Sequence, residues 1–198
     1  MTAKSSHVLV VLAAFLTGLV IFLGVFFYAT GQLGGGAPGP SAIGGPFNLI
    51  DQNGKPVTDQ DIKGRPTLVF FGYTHCPDVC PATLFDVSEV LRALGPDAGR
   101  AGALFITVDP DRDTAPVLKE YLSSFDPRLR AATGDQKAID GVERAYRVYA
   151  KKVPGDGAEY TMDHTALVYL MDKQGRFVAP FSLKRRPEES AADLRKYF

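Results

Sequence analysis

The chain has 198 residues, enough for one ordinary domain with a full hydrophobic core and an appendage. Its 22 Lys and Arg residues balance its 22 Asp and Glu residues, so the net charge of zero gives no indication of a nucleic-acid partner. Its 2 cysteines are too few for a disulfide scaffold, so their spacing indicates either chemistry or one local bridge.

An uncharged apolar run from Val8 to Ala29 follows residues 1–7. About 22 residues at about 1.5 Å per residue reach about 33 Å, enough for a helix to cross a hydrocarbon core of about 30 Å. The run exceeds the roughly 7–15 apolar residues of a cleavable signal peptide, so we predict a retained transmembrane anchor over 8–29. The sequence Ala29-Thr30-Gly31 leaves cleavage as the alternative.

The few charges near this run predict its orientation. Lys4 and the amino terminus precede the run, and no Lys or Arg follows it until Lys55. The positive-inside bias therefore places residues 1–7 in the cytoplasm and the rest of the chain across the membrane. Because the leader is not Arg-rich, as organelle transit peptides are, we predict a single-pass protein of a bacterial inner membrane with a periplasmic C-terminal domain.

Residues 30–46 are rich in Gly and Pro and predict a flexible linker, which leaves 47–198 as the folded domain. That domain begins with two short apolar segments around Asn53-Gly54, a strong hairpin signal within 47–58. The continuous apolar run at 67–73 then predicts a strand buried on both faces.

Helices and strands alternate through the rest of the domain. Further strands are predicted at 103–108, 129–132, 165–170 and 177–181, with a turn at 172–175, a surface loop at 153–160 and a last helix from Pro187. The apolar stripes of the three preceding helices comprise Leu84, Phe85, Val87, Leu91 and Leu94, then Val117, Leu118, Tyr121, Leu122 and Phe125, then Ile139, Val142, Tyr146 and Tyr149. This order predicts an α/β fold of thioredoxin-like type, with three layers: a mixed sheet with helices on both faces, behind the N-terminal transmembrane helix.

Cys76 and Cys80, in the string CPDVC, lie where a strand leads into a helix. The positive end of a helix dipole lowers a thiol's pKa, so both sulfurs are expected to form thiolates readily. Three spacer residues, rather than the two of a redox C-x-x-C motif, favour a metal and still permit disulfide exchange. A plain local disulfide is the structural alternative, although so short a loop gives little stabilisation.

His164 is the candidate third ligand. It precedes the closing hairpin, at the place where thioredoxin-like folds put a loop against the cysteine loop. An imidazole facing two thiolates makes an S₂N site whose softness suits copper. We interpret His7, beside the membrane run, and His75, next to Cys76 in an extended segment, as residues that are not ligands. Asp163 is a candidate to orient a neighbouring group.

A second acidic motif resembles the start of a calcium-binding loop: Asp109, Asp111 and Asp113, with Glu120 at the twelfth position. Calcium is rejected because Thr114 stands where such a loop requires glycine and because a proline interrupts the motif. We expect these aspartates to cap the following helix and to line a solvated loop.

Three strings together resemble the Sco/SenC family: FGYTHCPDVCP (Phe71–Pro81), FITVDPDRDT (Phe105–Thr114) and DHTALVYLMDKQGRF (Asp163–Phe177). They occur in the family's order, and the resemblance extends from Phe47 to the C-terminus. The combination of C-P-D-V-C-P with a downstream D-H-T is specific, and the apolar segment ahead of it is also typical of the family.

The resemblance implies one copper ion per chain, Cu(I) or Cu(II), bound by Cys76, Cys80 and His164. It also implies a metallochaperone that helps to assemble the binuclear copper site of cytochrome c oxidase subunit II. We expect that subunit as a partner, together with other periplasmic copper chaperones or thiol oxidoreductases, and the membrane through the N-terminal helix.

No catalytic residue is assigned, and enzymatic activity stays an open question. The alternative is a periplasmic thiol-disulfide oxidoreductase or redox sensor in which Cys76 and Cys80 form the redox pair and copper is incidental. A thiol peroxidase is less favoured, because no second catalytic constellation accompanies the cysteines. Zinc also suits the donor set, and the family resemblance favours copper over it.

Overall fold

A computed structural model describes residues 3–29, 43–155 and 159–198, which fall into two compact units, Met1–Pro40 and Ser41–Phe198. In the first unit, helix α1 runs from Ala3 to Ala29, and its side chains over 12–27 are exposed. A search of the described residues finds no helix long and apolar enough to pass through a bilayer. The predicted linker lies outside the described residues over 30–42. In its last part the Gly44 amide donates a hydrogen bond to the Ala145 carbonyl at 2.8 Å.

The second unit contains nine strands within its described residues. They are β1 (Asn48–Asp51), β2 (Pro56–Thr58), β3 (Thr67–Gly72), β4 (Gly102–Thr107), β5 (Leu129–Thr133), β6 (Ala150–Pro154), β7 (Tyr160–His164), β8 (Val168–Met171) and β9 (Phe177–Pro180). Seven of them form one sheet in the order β2–β1–β5–β4–β3–β8–β9. β3, β4 and β5 run parallel, and the strands at both edges are antiparallel to their neighbours.

The helices of the second unit cover this sheet. They are α2 (Val79–Ala93), α3 (Ala115–Leu122), α4 (Gln136–Tyr146) and α5 (Pro187–Arg195). α2 packs against α5, α3 lies on β5 and α4 contacts β1. Every residue of β3, β4 and β8 is buried, so both faces of the central strands are covered. The predicted mixed α/β architecture is therefore confirmed for this unit.

The surface loop predicted at 153–160 is too long at both ends, because Val153 and Pro154 belong to β6 and Tyr160 belongs to β7. β6 and β7 pair antiparallel, from Ala150 opposite His164 to Pro154 opposite Tyr160, and form a separate two-stranded sheet that we call the histidine hairpin. Its tip, at 156–158, lies outside the described residues. Solvent covers much of this ribbon, so β6 shows no alternation of apolar residues and gave no strand signal.

Three residues predicted on the apolar faces of helices do not pack there: Phe125 and Tyr149 lie outside the helices, and Phe85 is exposed. α3 ends at Leu122, before Phe125, and α4 ends at Tyr146 because Arg147 adopts a left-handed conformation with φ of 57°. Tyr149 consequently leaves the helix and is exposed. Phe85 does lie on α2, but 56% of its surface is exposed, so it faces solvent rather than the core.

Candidate metal centre

The first two candidate ligands lie on the connection from β3 to α2. The segment Tyr73–Asp78, which we call the cysteine loop, carries Cys76, and Cys80 is the second residue of α2. The Cys76 amide donates to the Tyr73 carbonyl at 3.3 Å, and the Cys80 amide donates to the Cys76 sulfur at 3.4 Å. The Cys76 sulfur thus lies against the N-terminus of α2, as the position of the motif predicted.

His164 reaches the same place from the last position of β7. Its Nε2 lies 3.6 Å from the Cys80 sulfur, and its Nδ1 lies 3.2 Å from the Thr165 carbonyl oxygen. A hydrogen bond from Nδ1–H to this carbonyl leaves the Nε2 lone pair directed at the sulfur. Burial lowers the pKa of His164, which favours the neutral imidazole that a metal requires. The Thr165 carbonyl, rather than the exposed side chain of Asp163, is the group that orients the ring.

The ligand atoms of Cys76, Cys80 and His164 lie within 4.8 Å of one another. A single point therefore lies within about 2.8 Å of all three atoms, and shifts of about half an ångström give the 2.0–2.3 Å bonds typical of such donors. Two sulfurs and one imidazole nitrogen form a soft donor set that fits a copper or zinc ion. Cys76 is partly exposed, His164 is half-buried and Cys80 is fully buried.

The other two histidines lie apart from this cluster. The side chain of His75 is exposed, and its Nδ1 lies 3.0 Å from the hydroxyl of Thr74. It is not among the group of potential ligands within the described residues. The side chain of His7 lies outside the part that the structure describes.

Burial raises the pKa of the Cys80 thiol strongly, although a hydrogen bond from the backbone of Tyr73 acts in the opposite direction. The expectation that both sulfurs form thiolates readily is therefore wrong for Cys80 in the metal-free protein. The helix N-terminus is outweighed because this sulfur has no exposure to water. A bound cation would supply the positive charge that this buried thiolate needs.

Gly72 permits the close packing behind the sulfurs, and it was missed by the sequence analysis. A Cβ atom at this position would lie 2.7 Å from the Cys80 sulfur and 2.8 Å from a ring carbon of Phe105. No ordinary side chain fits there. The Phe-Gly pair directly before the cysteine loop is the signal that could have indicated this close approach.

Aromatic rings enclose the imidazole. The ring of Tyr73 meets that of His164 edge-on, with centroids 5.8 Å apart, and the ring of Phe70 lies 6.4 Å away. Tyr73 and Phe70 are both buried. These contacts fix the plane of the imidazole and exclude water from one side of it.

Asp109 and Asp113 are fully buried, so the expectation that they line a solvated loop is wrong. Asp113 accepts hydrogen bonds from the Thr107 hydroxyl at 2.6 Å and from the Thr74 amide at 3.0 Å. Asp109 accepts from Tyr160 and pairs with Arg112. These carboxylates are thus used inside the domain, and the side chain of Thr114, at the start of α3, makes no capping hydrogen bond.

Comparison with known proteins gives a consistent result. The family model described as SCO1/SenC matches residues 35–198. The mitochondrial SCO1 homolog of Mus musculus is 42% identical over 159 residues, which cover 79% of this chain and 56% of that protein. The chain therefore matches little more than half of this curated relative.

The similar solved structures include copper-bound ones. Bradyrhizobium japonicum ScoI with copper bound is 65% identical, with a TM-score of 0.77 over 79% of this chain and 99% of that one. Yeast Sco1 with copper bound is 35% identical, with a TM-score of 0.72 over 78% of this chain and 87% of that one. These similarities confirm the predicted thioredoxin-like type of mixed α/β fold.

Proposed function

This chain belongs to the SCO1/SenC family, and on that premise we propose that it is a copper-binding metallochaperone for the assembly of cytochrome c oxidase. The observation that carries the proposal is the convergence of Cys76, Cys80 and His164, whose ligand atoms lie within 4.8 Å of one another. Relatives with the same fold, ScoI and yeast Sco1, have been solved with copper bound.

The copper-bound relatives favour copper over zinc. The cluster within the described residues offers three ligands, fewer than the four of a structural zinc site, although two cysteines and one histidine also form catalytic zinc sites. Two thiolates and one imidazole suit a soft monovalent ion and leave one side of it open. We therefore propose one copper ion per chain, held by Cys76, Cys80 and His164.

The different burial of the ligands suits a cargo that must leave. Cys76 lies partly exposed, whereas Cys80 is fully buried. An acceptor that brings its own thiolates or imidazoles can replace the exposed sulfur first and the buried one last. We propose that this acceptor is subunit II of cytochrome c oxidase, and that periplasmic copper chaperones or thiol oxidoreductases load or reduce the site.

We also propose that residues 8–29 anchor the domain in a bacterial inner membrane, with residues 1–7 cytoplasmic and 47–198 periplasmic. The support is the uncharged apolar run in the sequence. We likewise propose that residues 30–46 link this anchor to the domain at 47–198.

The proposal is tested by complementation in cells that lack this chain. Cys76→Ser, Cys80→Ser and His164→Ala are each expected to abolish oxidase activity, whereas His75→Ala, which alters an exposed neighbour outside the cluster, is expected to retain it. Full activity of His164→Ala alongside inactive cysteine variants would contradict copper delivery. That outcome would favour the thiol-disulfide oxidoreductase in which Cys76 and Cys80 exchange electrons without a metal.

A further inference from the structure

The ligands of the proposed copper site come from two parts of the domain that are not paired in one sheet. The two sulfurs lie on the connection from β3 to α2 and at the start of α2, whereas the imidazole lies on the histidine hairpin. Among the described strands, the two strands of this hairpin pair only with each other. Residues 109–113, which follow β4, make side-chain contacts to both parts. We call this segment the aspartate bracket.

One end of the bracket holds the cysteine loop. Asp113 accepts hydrogen bonds from both the hydroxyl of Thr74, at 2.6 Å, and its backbone amide, at 3.0 Å. Thr74 lies two residues before Cys76 in the chain. The Thr107 hydroxyl also donates to Asp113, at 2.6 Å, and ties the carboxylate to the end of β4. Asp113 thereby fixes the position of the cysteine loop relative to the central sheet.

The other end of the bracket holds the histidine hairpin. Asp109 accepts a hydrogen bond from the Tyr160 hydroxyl at 2.8 Å and pairs with the Arg112 guanidinium at 2.5 Å. Arg112 donates in turn to the Tyr160 carbonyl at 3.0 Å, and its guanidinium carbon lies 3.7 Å from the centroid of the Tyr160 ring. One residue of β7 is therefore held through its hydroxyl, its ring and its backbone.

Tyr160 and His164 are the first and last residues of β7, and they point to the same face because strand side chains alternate. Holding Tyr160 therefore fixes the strand that carries the imidazole. The guanidinium of Arg112 also faces the ring of Tyr73, which itself packs edge-on against His164. These contacts lead from the bracket to the ligand along two routes.

We propose that the aspartate bracket is a positioning element that sets the separation between the cysteine sulfurs and the His164 imidazole. Its Asp113 end positions the cysteine loop, and its Asp109–Arg112 end positions the histidine hairpin. The role as part of a copper site rests on the proposed function, whereas the mechanical role does not. Loss of one end is expected to release one set of ligands and to leave the other in place.

Hydrogen exchange of the metal-free full chain in detergent micelles tests the mechanical role. Tyr160→Phe removes one hydrogen bond to a charged group, so amide exchange over 161–165 is expected to accelerate about tenfold. Arg112→Gln is expected to have at least the same effect there. Thr74→Val is expected to accelerate exchange over 75–80 and to leave 161–165 unchanged.

The matched control is Arg128→Gln, which breaks a similar pair with the buried carboxylate of Asp126 elsewhere in the domain. It is expected to change exchange in neither the cysteine loop nor the histidine hairpin. Exchange over 161–165 within about twofold of wild type in Tyr160→Phe and Arg112→Gln would overturn the proposal. An equal acceleration in β3 would also overturn it, since it would mean that these residues stabilise the whole domain.

X-ray absorption of the same variants loaded with Cu(I) tests the consequence for the ligands. Arg112→Gln is expected to keep both sulfur ligands, to lose the nitrogen ligand and to bind copper about 10–100-fold more weakly. An unchanged nitrogen ligand and affinity would overturn the positioning role at the metal. A wild-type chain that binds no copper would instead overturn the proposed function and leave the exchange result as the test of the bracket.

Discussion

The cysteine loop and the histidine hairpin meet at one centre, but they are held by different forces. The cysteine loop continues from β3 into α2, and Cys80 lies in the apolar core. The histidine hairpin forms its own sheet; Met162 packs in the core, and polar contacts of Tyr160 with the aspartate bracket hold the strand as well. Apolar burial is non-directional, whereas a hydrogen bond requires a particular distance and angle between its donor and acceptor. We therefore expect the sulfurs to stay in place and the imidazole to be the ligand that moves.

The largest effect is expected from the sulfurs. Cys80→Ser and Cys76→Ser each remove a soft ligand, so copper affinity is expected to fall more than about a hundredfold, beyond the loss typical of residues that only orient a ligand. Competition titration against a chelator of known affinity measures this. A cysteine variant that binds copper within tenfold of wild type would mean that the histidine hairpin contributes more to copper affinity than the cysteine loop does.

Gly72→Ala tests the packing behind the sulfurs. The added methyl group would lie 2.7 Å from the Cys80 sulfur, so we expect the free energy of unfolding to fall by about 2–3 kcal/mol. Urea denaturation measures the change. Gly141→Ala is the matched control, since its Cβ meets open space within α4 and helix propensity predicts a gain of about 0.5–1 kcal/mol. Equal stability of Gly72→Ala and wild type would show that the neighbouring side chains of Cys80 and Phe105 move aside at little cost.

A change of pH should act on the stability of the domain through Glu143. Burial, followed by the negative charge of Asp140, raises the pKa of Glu143 on α4 to about 7. Between the unfolded value of 4.5 and about 7, the unfolded chain loses this proton while the folded chain keeps it, so stability falls as pH rises. Because the group is only half-buried, we expect a loss of about 1–2 kcal/mol.

Glu143→Gln is expected to remove this loss, so that the variant is about 1–2 kcal/mol more stable than wild type at pH 7 and similar to it at pH 4.5. Chemical denaturation at a series of pH values provides the comparison. Glu188→Gln, on the exposed first turn of α5, is the control and should follow the wild-type profile. Parallel profiles for Glu143→Gln and wild type would contradict the assignment of this proton.

The smallest effect is expected from an exposed ion pair of the histidine hairpin, in contrast to the buried contacts of Tyr160. Lys152 pairs with Asp111, but both side chains are largely exposed, so Lys152→Ala is expected to change stability by less than about 0.5 kcal/mol. Hydrogen exchange over 161–165 should also match that of wild type. A response as large as that of Tyr160→Phe would show that the exposed Lys152–Asp111 pair holds the hairpin as firmly as the buried contacts of Tyr160 do.

Much of the seven-stranded sheet and its covering helices could be predicted from the sequence, because the signals for these elements are local. The apolar runs of β3 and β4 and the turns at Asn53-Gly54 and Asp172–Gly175 lie where expected. Cys76, Cys80 and His164 were chosen from the order of elements and the family resemblance, and the structure brings them together. Cys80 and His164 are 84 positions apart in the chain, so no local motif contains all three ligands. The site could be predicted only because the order of elements and the family resemblance indicated the fold.

The histidine hairpin and the aspartate bracket could not be predicted in the same way. Lys151 and Lys152 lie in β6, which pairs with β7 through backbone hydrogen bonds and shows no alternation of apolar residues. The sequence therefore gives no strand signal there. Asp109 and Asp113 look like solvent-exposed carboxylates in sequence, because their partners Tyr160 and Thr74 are distant along the chain. Buried polar contacts depend on tertiary structure, and a local pattern does not report them.

Copper titration of the full chain and its His164→Ala variant, reduced and free of oxygen, tests the central claim most directly. Cu(I) and Cu(II) are added separately, and the stoichiometry, the affinity and the thiolate-to-copper absorption are recorded. We predict one tightly bound ion per chain and a sharp loss of affinity in His164→Ala, with both sulfurs still bound. Copper binding that is weak, or that is indifferent to His164, would contradict the three-ligand site and make Cys76 and Cys80 a redox pair.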